Sequence, residues 1–200
     1  MDTKEKILQT ALRLFAERGF EGVSMRDIAM EIGITKAALY RHYESKRAIF
    51  DAIVQRMEEE DGERAAACEV PEEPIAESAE PYRNTELSAL CEYTVAQFLY
   101  WTTDPFASAF RRMLTLEQYH DEEMALLYRN HLGAGPLRYT ADLLKEMKGT
   151  DEETAYQLGL EFFAPVAMLI QMSDHEQDTE SLLNEVKRHM DRFAKTHFGK

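Results

Sequence analysis

Between residues 36 and 47 five side chains able to carry positive charge crowd together: Lys36, Arg41, His42, Lys46 and Arg47, with Tyr40 and Tyr43 among them. Cations interleaved with phenolic hydroxyls at helical spacing suit the holding of phosphate oxygens, the alternative being an ordinary solvated basic face. Glu44 is the sole acid from residue 32 to residue 50. Residues for other chemistries are poorly placed. The six histidines (His42, His120, His131, His175, His189, His197) include no H-E-x-x-H pair or other metal spacing. His120 beside Asp121-Glu122-Glu123, and Asp174-His175-Glu176, read as polar helix ends rather than ligand sets. There is no G-x-S-x-G elbow and no glycine-rich phosphate loop. Cys68 and Cys91 form no C-x-x-C pair and allow at most one bridge. No catalytic residue, metal or cofactor is therefore assigned.

These side chains need helices to hold them. Ile7, Leu8, Ala11, Leu12 and Phe15 recur at helical spacing, with Asp2 to cap the start and Gly19 to end it. A second helix fits Ser24 to Ile32, where Ser24 and Asp27 form a capping box. Gly33 breaks it, and Thr35 caps a third helix to Tyr43. A fourth opens at Ser45 and runs through Met57. Residues 62 to 85 are mostly acidic, hold Pro71, Pro74 and Pro81, and read as a loop. Helical patterns then resume: Leu87 to Trp101, Asp104-Pro105 to about Tyr119, and Asp121 to Leu132. After an interruption at Gly133 to Pro136 come Leu137 to Met147, a long helix capped by Thr150 with Glu153, and a last one from Asp178 or Thr179 to about His197. No period-two segment between hairpin turns occurs, so the fold class is all-α. The segment Ser24 to Tyr43 has the outline of a helix-turn-helix, whose second helix can enter a major groove.

The net charge of −14 argues at first against nucleic acid as a partner. It is, however, an average over two unlike parts. Residues 1 to 50 hold nine Lys/Arg and seven Asp/Glu, a net of +2; residues 51 to 200 hold fourteen and thirty, a net of −16. Lys46 and Arg47 also stand in the first turn of the fourth helix, where the helix dipole disfavours cations by roughly 0.3–1 kcal/mol. A helix optimised for stability alone would carry acids there. Cations beside exposed helix N-termini make a phosphate site instead.

Three stretches carry a specific likeness: Phe15-Ala16-Glu17-Arg18-Gly19-Phe20, Val23-Ser24-Met25-Arg26-Asp27-Ile28-Ala29, and Gly33-Ile34-Thr35-Lys36-Ala37-Ala38-Leu39-Tyr40-Arg41-His42-Tyr43, followed by Lys46. In order and spacing, over residues 4 to 54, they resemble the N-terminal domain of TetR-type (TetR/AcrR) transcriptional regulators. The departures are Ile32, Ala37-Ala38 and Tyr43; Ala38 lacks a hydroxyl that would offer one base or phosphate contact. The resemblance implies a three-helix DNA-binding domain at residues 1–50 and a helical effector-binding and dimerisation bundle at 51–200. It implies that Thr35, Lys36, Ala38 and Arg41 face the groove, while Ser24, Arg26, Tyr40, His42 and Lys46 hold phosphates. Phe15, Phe20, Ile28, Ala29, Leu39 and Tyr43 would be the small core beneath them.

Beyond residue 60 the likeness is architectural. Aromatics and methionines are frequent from 86 to 172, and Tyr, Trp and Met suit a cavity as well as a core. Phe98, Trp101, Phe110, Met113, Tyr128 and Phe162 are the expected effector contacts. The last two helices resemble a dimer-forming pair, with Phe163, Ala167 and Ile170 on one and Leu183, Val186 and Met190 on the other. The expected partners are a double-stranded DNA operator, a small-molecule effector and a second copy, with no membrane and a cytoplasmic location. The expected function is that of an effector-released repressor and not an enzyme. The alternative is a helical enzyme or small-molecule-binding protein whose basic N-terminus is incidental.

Overall fold

Local sequence signals account for most of the helix boundaries. The structure, a computed structural model, describes residues 2–72, 75–175 and 178–199, and among them every regular element is a helix. The chain packs as two compact units, one of residues 1–60 and 105–128, the other of residues 61–104 and 129–200.

The first unit begins with α1 (Thr3–Arg18), α2 (Met25–Ile32) and α3 (Lys36–Tyr40). Asp2 caps α1 and Gly19 closes it. Ser24 and Asp27 form the reciprocal capping box of α2, each bonding the other's backbone N–H. Gly33 ends α2 at φ 81° and ψ 30°, a left-handed conformation that glycine adopts without a Cβ clash and that turns the chain sharply into α3. Thr35 accepts from Ala38 N at 3.1 Å and starts α3. The helix ends at Tyr40, three residues earlier than its sequence pattern suggests, and 41–42 form a turn. The unit also takes the first part of α4 (Lys46–Ala67), all of α7 (Pro105–Glu117), and α8 (Glu122–Leu132) as far as Tyr128. Ile7, Ala11, Leu14, Phe15, Ile28, Leu39, Ile49, Phe50 and Ile53 are buried with Phe106, Phe110 and Met113. The Arg56 guanidinium sits over the Phe106 ring at 3.9 Å and donates to Glu5 and Glu60, tying α4 to α1 and α7.

The second unit contains the end of α4, α5 (Glu80–Asn84), α6 (Leu87–Thr103), α9 (Ala134–Lys148), α10 (Glu152–Met172) and α11 (Thr179–Phe198). Here the expected loop over 62–85 needs correcting. The alanines at 65–67 favour helix, Ala65 is buried, and α4 continues to Ala67 before Glu69 turns at φ 56°. Pro81 lies in the first turn of α5, where a missing N–H costs nothing; Pro74 lies outside the described residues. Pro136 likewise sits in the first turn of α9, so the expected break at Gly133 to Pro136 is a helix start. Asp151, rather than Thr150, caps α10 by accepting from Thr154 N at 2.9 Å. Asp178 caps α11. Leu90, Phe98, Leu143, Leu144, Phe162, Val166, Val186 and Phe193 form this unit's core. Among the described residues no helix is long and apolar enough to cross a membrane.

Candidate nucleic-acid interface

The geometry of the first unit is organised around Phe20, in the turn between α1 and α2. Its ring packs edge-on against Phe15 at 5.1 Å and Phe50 at 5.4 Å. The Lys46 ammonium donates to Phe20 O at 2.7 Å and lies 4.2 Å from the ring centroid. From α7, Glu117 accepts from Phe20 N at 3.3 Å. The turn is thus held at its carbonyl, its amide and its ring. Gly19 completes the fit: its φ is 75°, and a Cβ there would stand 2.7 Å from Glu117 Oε1.

This anchoring fixes α2 and α3 and leaves their outer face open. Ser24, Arg26, Thr35, Lys36, Tyr40 and Arg41 are exposed, and Ala38 and His42 are half-buried. Tyr40 is 45% exposed and lies beneath the Lys36 ammonium, 5.6 Å from its ring centroid. Leu39, between them, is fully buried and pins the helix. Seven of the nine side chains named from sequence therefore offer a polar group or backbone position along one run from residue 24 to residue 41. Ser24 is partly committed, since its hydroxyl bonds the Asp27 carboxylate, and that bond holds the carboxyl below its ordinary pKa.

The cations divide into two sets. Among the described residues Arg26, Lys36 and Arg41 have no carboxylate within ion-pair distance, and they flank the second and third helices. Those nearby are already taken. Arg13 pairs with Glu17 and Glu31. Lys46 is 21% exposed, serves Phe20, and has Glu21 at 3.7 Å. Arg47 grips Glu123 with both terminal nitrogens and Asp51 with Nε. Donation to Glu123 and then to Asp51 raises the Arg47 guanidinium above its ordinary value. Sequence spacing flagged Lys46 and Arg47 as cations at a helix start. It gave no sign of Glu117 and Glu123, which lie 97 and 76 residues from their partners Phe20 and Arg47.

The comparisons with known proteins bear on this same segment. Residues 7–53 match the family described as bacterial regulatory proteins, tetR family. Over that stretch the chain is similar to the tetR family. Over 52 residues it is 42% identical to IcaR of Staphylococcus aureus, described as the biofilm operon icaADBC HTH-type negative transcriptional regulator, a stretch that is 26% of this chain and 28% of that protein. Over 48 residues it is 46% identical to the uncharacterized HTH-type transcriptional regulator YerO of Bacillus subtilis, 24% of this chain and 17% of that one. The chain thus matches between a sixth and a third of the length of these curated relatives. The fold likeness extends over the tetR-type domain and everything after it. A transcriptional regulator (TerR/AcrR family) from Aquifex aeolicus VF5 superposes with a TM-score of 0.68 at 16% identity, over 96% of this chain and 99% of the other. The SmeT–triclosan complex superposes with a TM-score of 0.66 at 14% identity, over 97% and 90%.

The residues expected to contact an effector are distributed over both units. Phe110, Met113 and Tyr128 belong to the first; Phe98, Trp101 and Phe162 belong to the second. All but the half-buried Tyr128 are buried, as members of a core are. Of the residues expected to face a second copy, Ile170, Val186 and Met190 are buried within the chain, while Phe163, Ala167 and Leu183 are half-buried. The large exposed apolar side chains of α10 are Tyr156, Met168 and Met172, with Met168 61% exposed. A groove of about 380 Å³ lies between α10 and α11, lined by Glu161, Pro165, His189, Arg192 and Phe193 among others. Among the described residues no three His, Cys, Asp or Glu side chains group as a metal site. Asp121 caps α8 through Glu123 N and Met124 N, and Glu176 lies outside the described residues.

Proposed function

We propose that this chain is a DNA-binding transcriptional regulator, a repressor that a small-molecule effector releases from a near-palindromic operator. One observation carries the reading: among the described residues Arg26, Lys36 and Arg41 stand exposed and unpaired around a buttressed α3, while the neighbouring Arg13 and Arg47 are paired with carboxylates. Charge left unpaired on a rigid helix is what phosphate and base-edge contact require. Thr35, Lys36, Ala38 and Arg41 would face the bases, and Ser24, Arg26, Tyr40 and His42 the phosphates, with Lys46 reaching a phosphate beyond the Phe20 carbonyl. Likeness to IcaR, a negative regulator by its description, supports repression.

The functional division falls near residue 50, with DNA binding before it and effector response and dimerisation after it. A second copy would cover the Met168 and Met172 face of α10 together with α11, since exposed apolar side chains clustered on one helix are the surface that association removes from water. Two α3 helices would then meet half-sites about 34 Å apart or a little more. A regulator of this kind acts in the cytoplasm and is not an enzyme. The test is a gel shift on the DNA that flanks this chain's own gene. Saturable, salt-sensitive binding is expected; no binding at any salt concentration would overturn the proposal.

A further inference from the structure

The second unit holds a polar cluster that packing does not explain. Asp61 and Arg64 come from the end of α4, Tyr93, Gln97 and Tyr100 from α6, and Tyr139 from α9. A single oxygen, Asp61 Oδ1, accepts from Tyr93 Oη at 3.1 Å, from Arg64 Nη2 at 3.3 Å and from the Gln97 amide. The Arg64 guanidinium lies 3.4 Å from the Tyr100 ring centroid. The Tyr139 ring meets Tyr93 edge-on at 6.1 Å, and its hydroxyl donates to Pro71 O at 2.8 Å.

Two buried polar atoms in this cluster have no hydrogen-bond partner among the described residues: Arg64 Nε, a donor, and Gln97 Oε1, an acceptor. Buried polar groups are rarely left so, because each unmet one costs free energy. Each belongs to the same planar group that already bonds Asp61 Oδ1, so the two side chains converge. Flipping the Gln97 amide does not remove the problem. The Gln97 NH2 also donates to Tyr93 Oη at 2.5 Å; flipped, the carbonyl oxygen could accept from that hydroxyl but would face the Asp61 carboxylate, acceptor against acceptor, and the NH2 would be the unmet group. A hydroxyl, whether of water or of a ligand, meets a donor and an acceptor together: its oxygen accepts from Arg64 Nε–H while its proton goes to Gln97 Oε1. Three phenol rings beside it favour an aromatic bearer. Asp61 and Arg64 neutralise each other, and residues 51 to 200 carry a net −16, so an anion gains nothing here. Burial keeps the Tyr93 and Tyr139 phenols above their ordinary pKa, so both stay protonated donors.

We infer that Asp61, Arg64, Tyr93, Gln97, Tyr100 and Tyr139 form a binding site for an uncharged aromatic molecule bearing a phenolic hydroxyl. This rests on the effector-responsive reading above and names the class of effector. It also shifts the contacts from the apolar residues expected from sequence to a polar group on α4, α6 and α9.

The test is calorimetric titration of the full chain at neutral pH with 2-naphthol, 2-methoxynaphthalene and 2-naphthoate. The expected result is saturable binding of 2-naphthol, with 2-methoxynaphthalene about tenfold weaker because it cannot donate to Gln97. Naphthoate should bind more weakly still. Gln97→Leu and Arg64→Lys should each weaken 2-naphthol about tenfold while circular dichroism shows the parent helix content. No detectable binding of 2-naphthol, equal affinity for naphthol and its methyl ether, or unchanged affinity in both variants would each overturn the site. Failure of the broader reading looks different: 2-naphthol then binds as described but does not release DNA. Release of DNA by some other compound, with no naphthol binding, overturns the site and leaves that reading standing.

Discussion

Lys46→Met separates two roles that one ammonium carries. Nζ donates to Phe20 O at 2.7 Å and sits 4.2 Å from the Phe20 ring, with only 21% of the side chain exposed. A hydrogen bond from a charged donor is worth about 1.5–3 kcal/mol, and a cation–π contact about 0.5–1 kcal/mol at a partly exposed site. The Glu21 carboxylate, 3.7 Å away and 89% exposed, adds little. Water can replace part of the lost bond and Met fills the space of the stem, so a net loss of about 2 kcal/mol is expected. For a chain of 200 residues that lowers the thermal midpoint by about 4–8 °C. The same substitution should weaken binding to all duplexes alike and reduce the salt slope by about 0.9. Arg41→Ala is the control: exposed and without an ion pair, it should lose DNA affinity at a stability within about 0.5 kcal/mol of the parent. Thermal melts by circular dichroism and anisotropy titrations over a salt series measure both quantities. A Lys46→Met protein as stable as the parent would refute the anchoring of Phe20. A loss confined to one operator base would refute the phosphate contact.

Other substitutions probe the same frame. Glu123→Gln breaks an exposed pair with Arg47, so stability should change by under about 1 kcal/mol while DNA affinity at low salt rises; an affinity loss would mean that the pair positions α4. Gly19→Ala forces a Cβ into a left-handed turn and against Glu117, and its melt should fall by several degrees, whereas a rise would show that the turn relaxes freely. The lowered Asp27 carboxyl stabilises the native state above its unfolded pKa, and that contribution is lost as pH falls through the lower native value. Stability should thus drop below about pH 4, and less so in Asp27→Asn; identical acid limbs would contradict this. Burial pushes the Cys91 thiol up to about 11, so iodoacetamide should label it slowly at neutral pH and faster as pH approaches that value.

What could be read from sequence was what short range determines. The Ser24–Asp27 box, the Thr35 cap and the Gly33 turn each depend on neighbours within a few residues, and the structure repeats them. Boundaries drifted where a breaker residue stood at a tolerant position. Pro81 and Pro136 read as interruptions but occupy first turns, and the alanines after Gly62 carry α4 through a segment that looked like loop. The candidate site's outline was open to reading because the named residues fall in one stretch of chain. Its supports were not, because Glu117 and Glu123 look like ordinary helix-surface acids until tertiary packing brings them to Phe20 and Arg47. The aromatic stripes foretold burial but not company: Phe110 and Phe98 have equal claims by spacing, yet they lie in different units. A buried donor and acceptor left unmet, such as Arg64 Nε and Gln97 Oε1, have no sequence signature at all.

The most direct test of the account compares two charge-matched variants on DNA flanking this chain's gene. Lys36→Ala/Arg41→Ala removes two of the unpaired cations around α3; Arg129→Ala/Arg138→Ala removes two exposed arginines, one each of α8 and α9. The α3 variant should lose specific binding at every salt concentration while the α8/α9 variant titrates like the parent. Equal binding by the α3 variant and the parent would contradict the account.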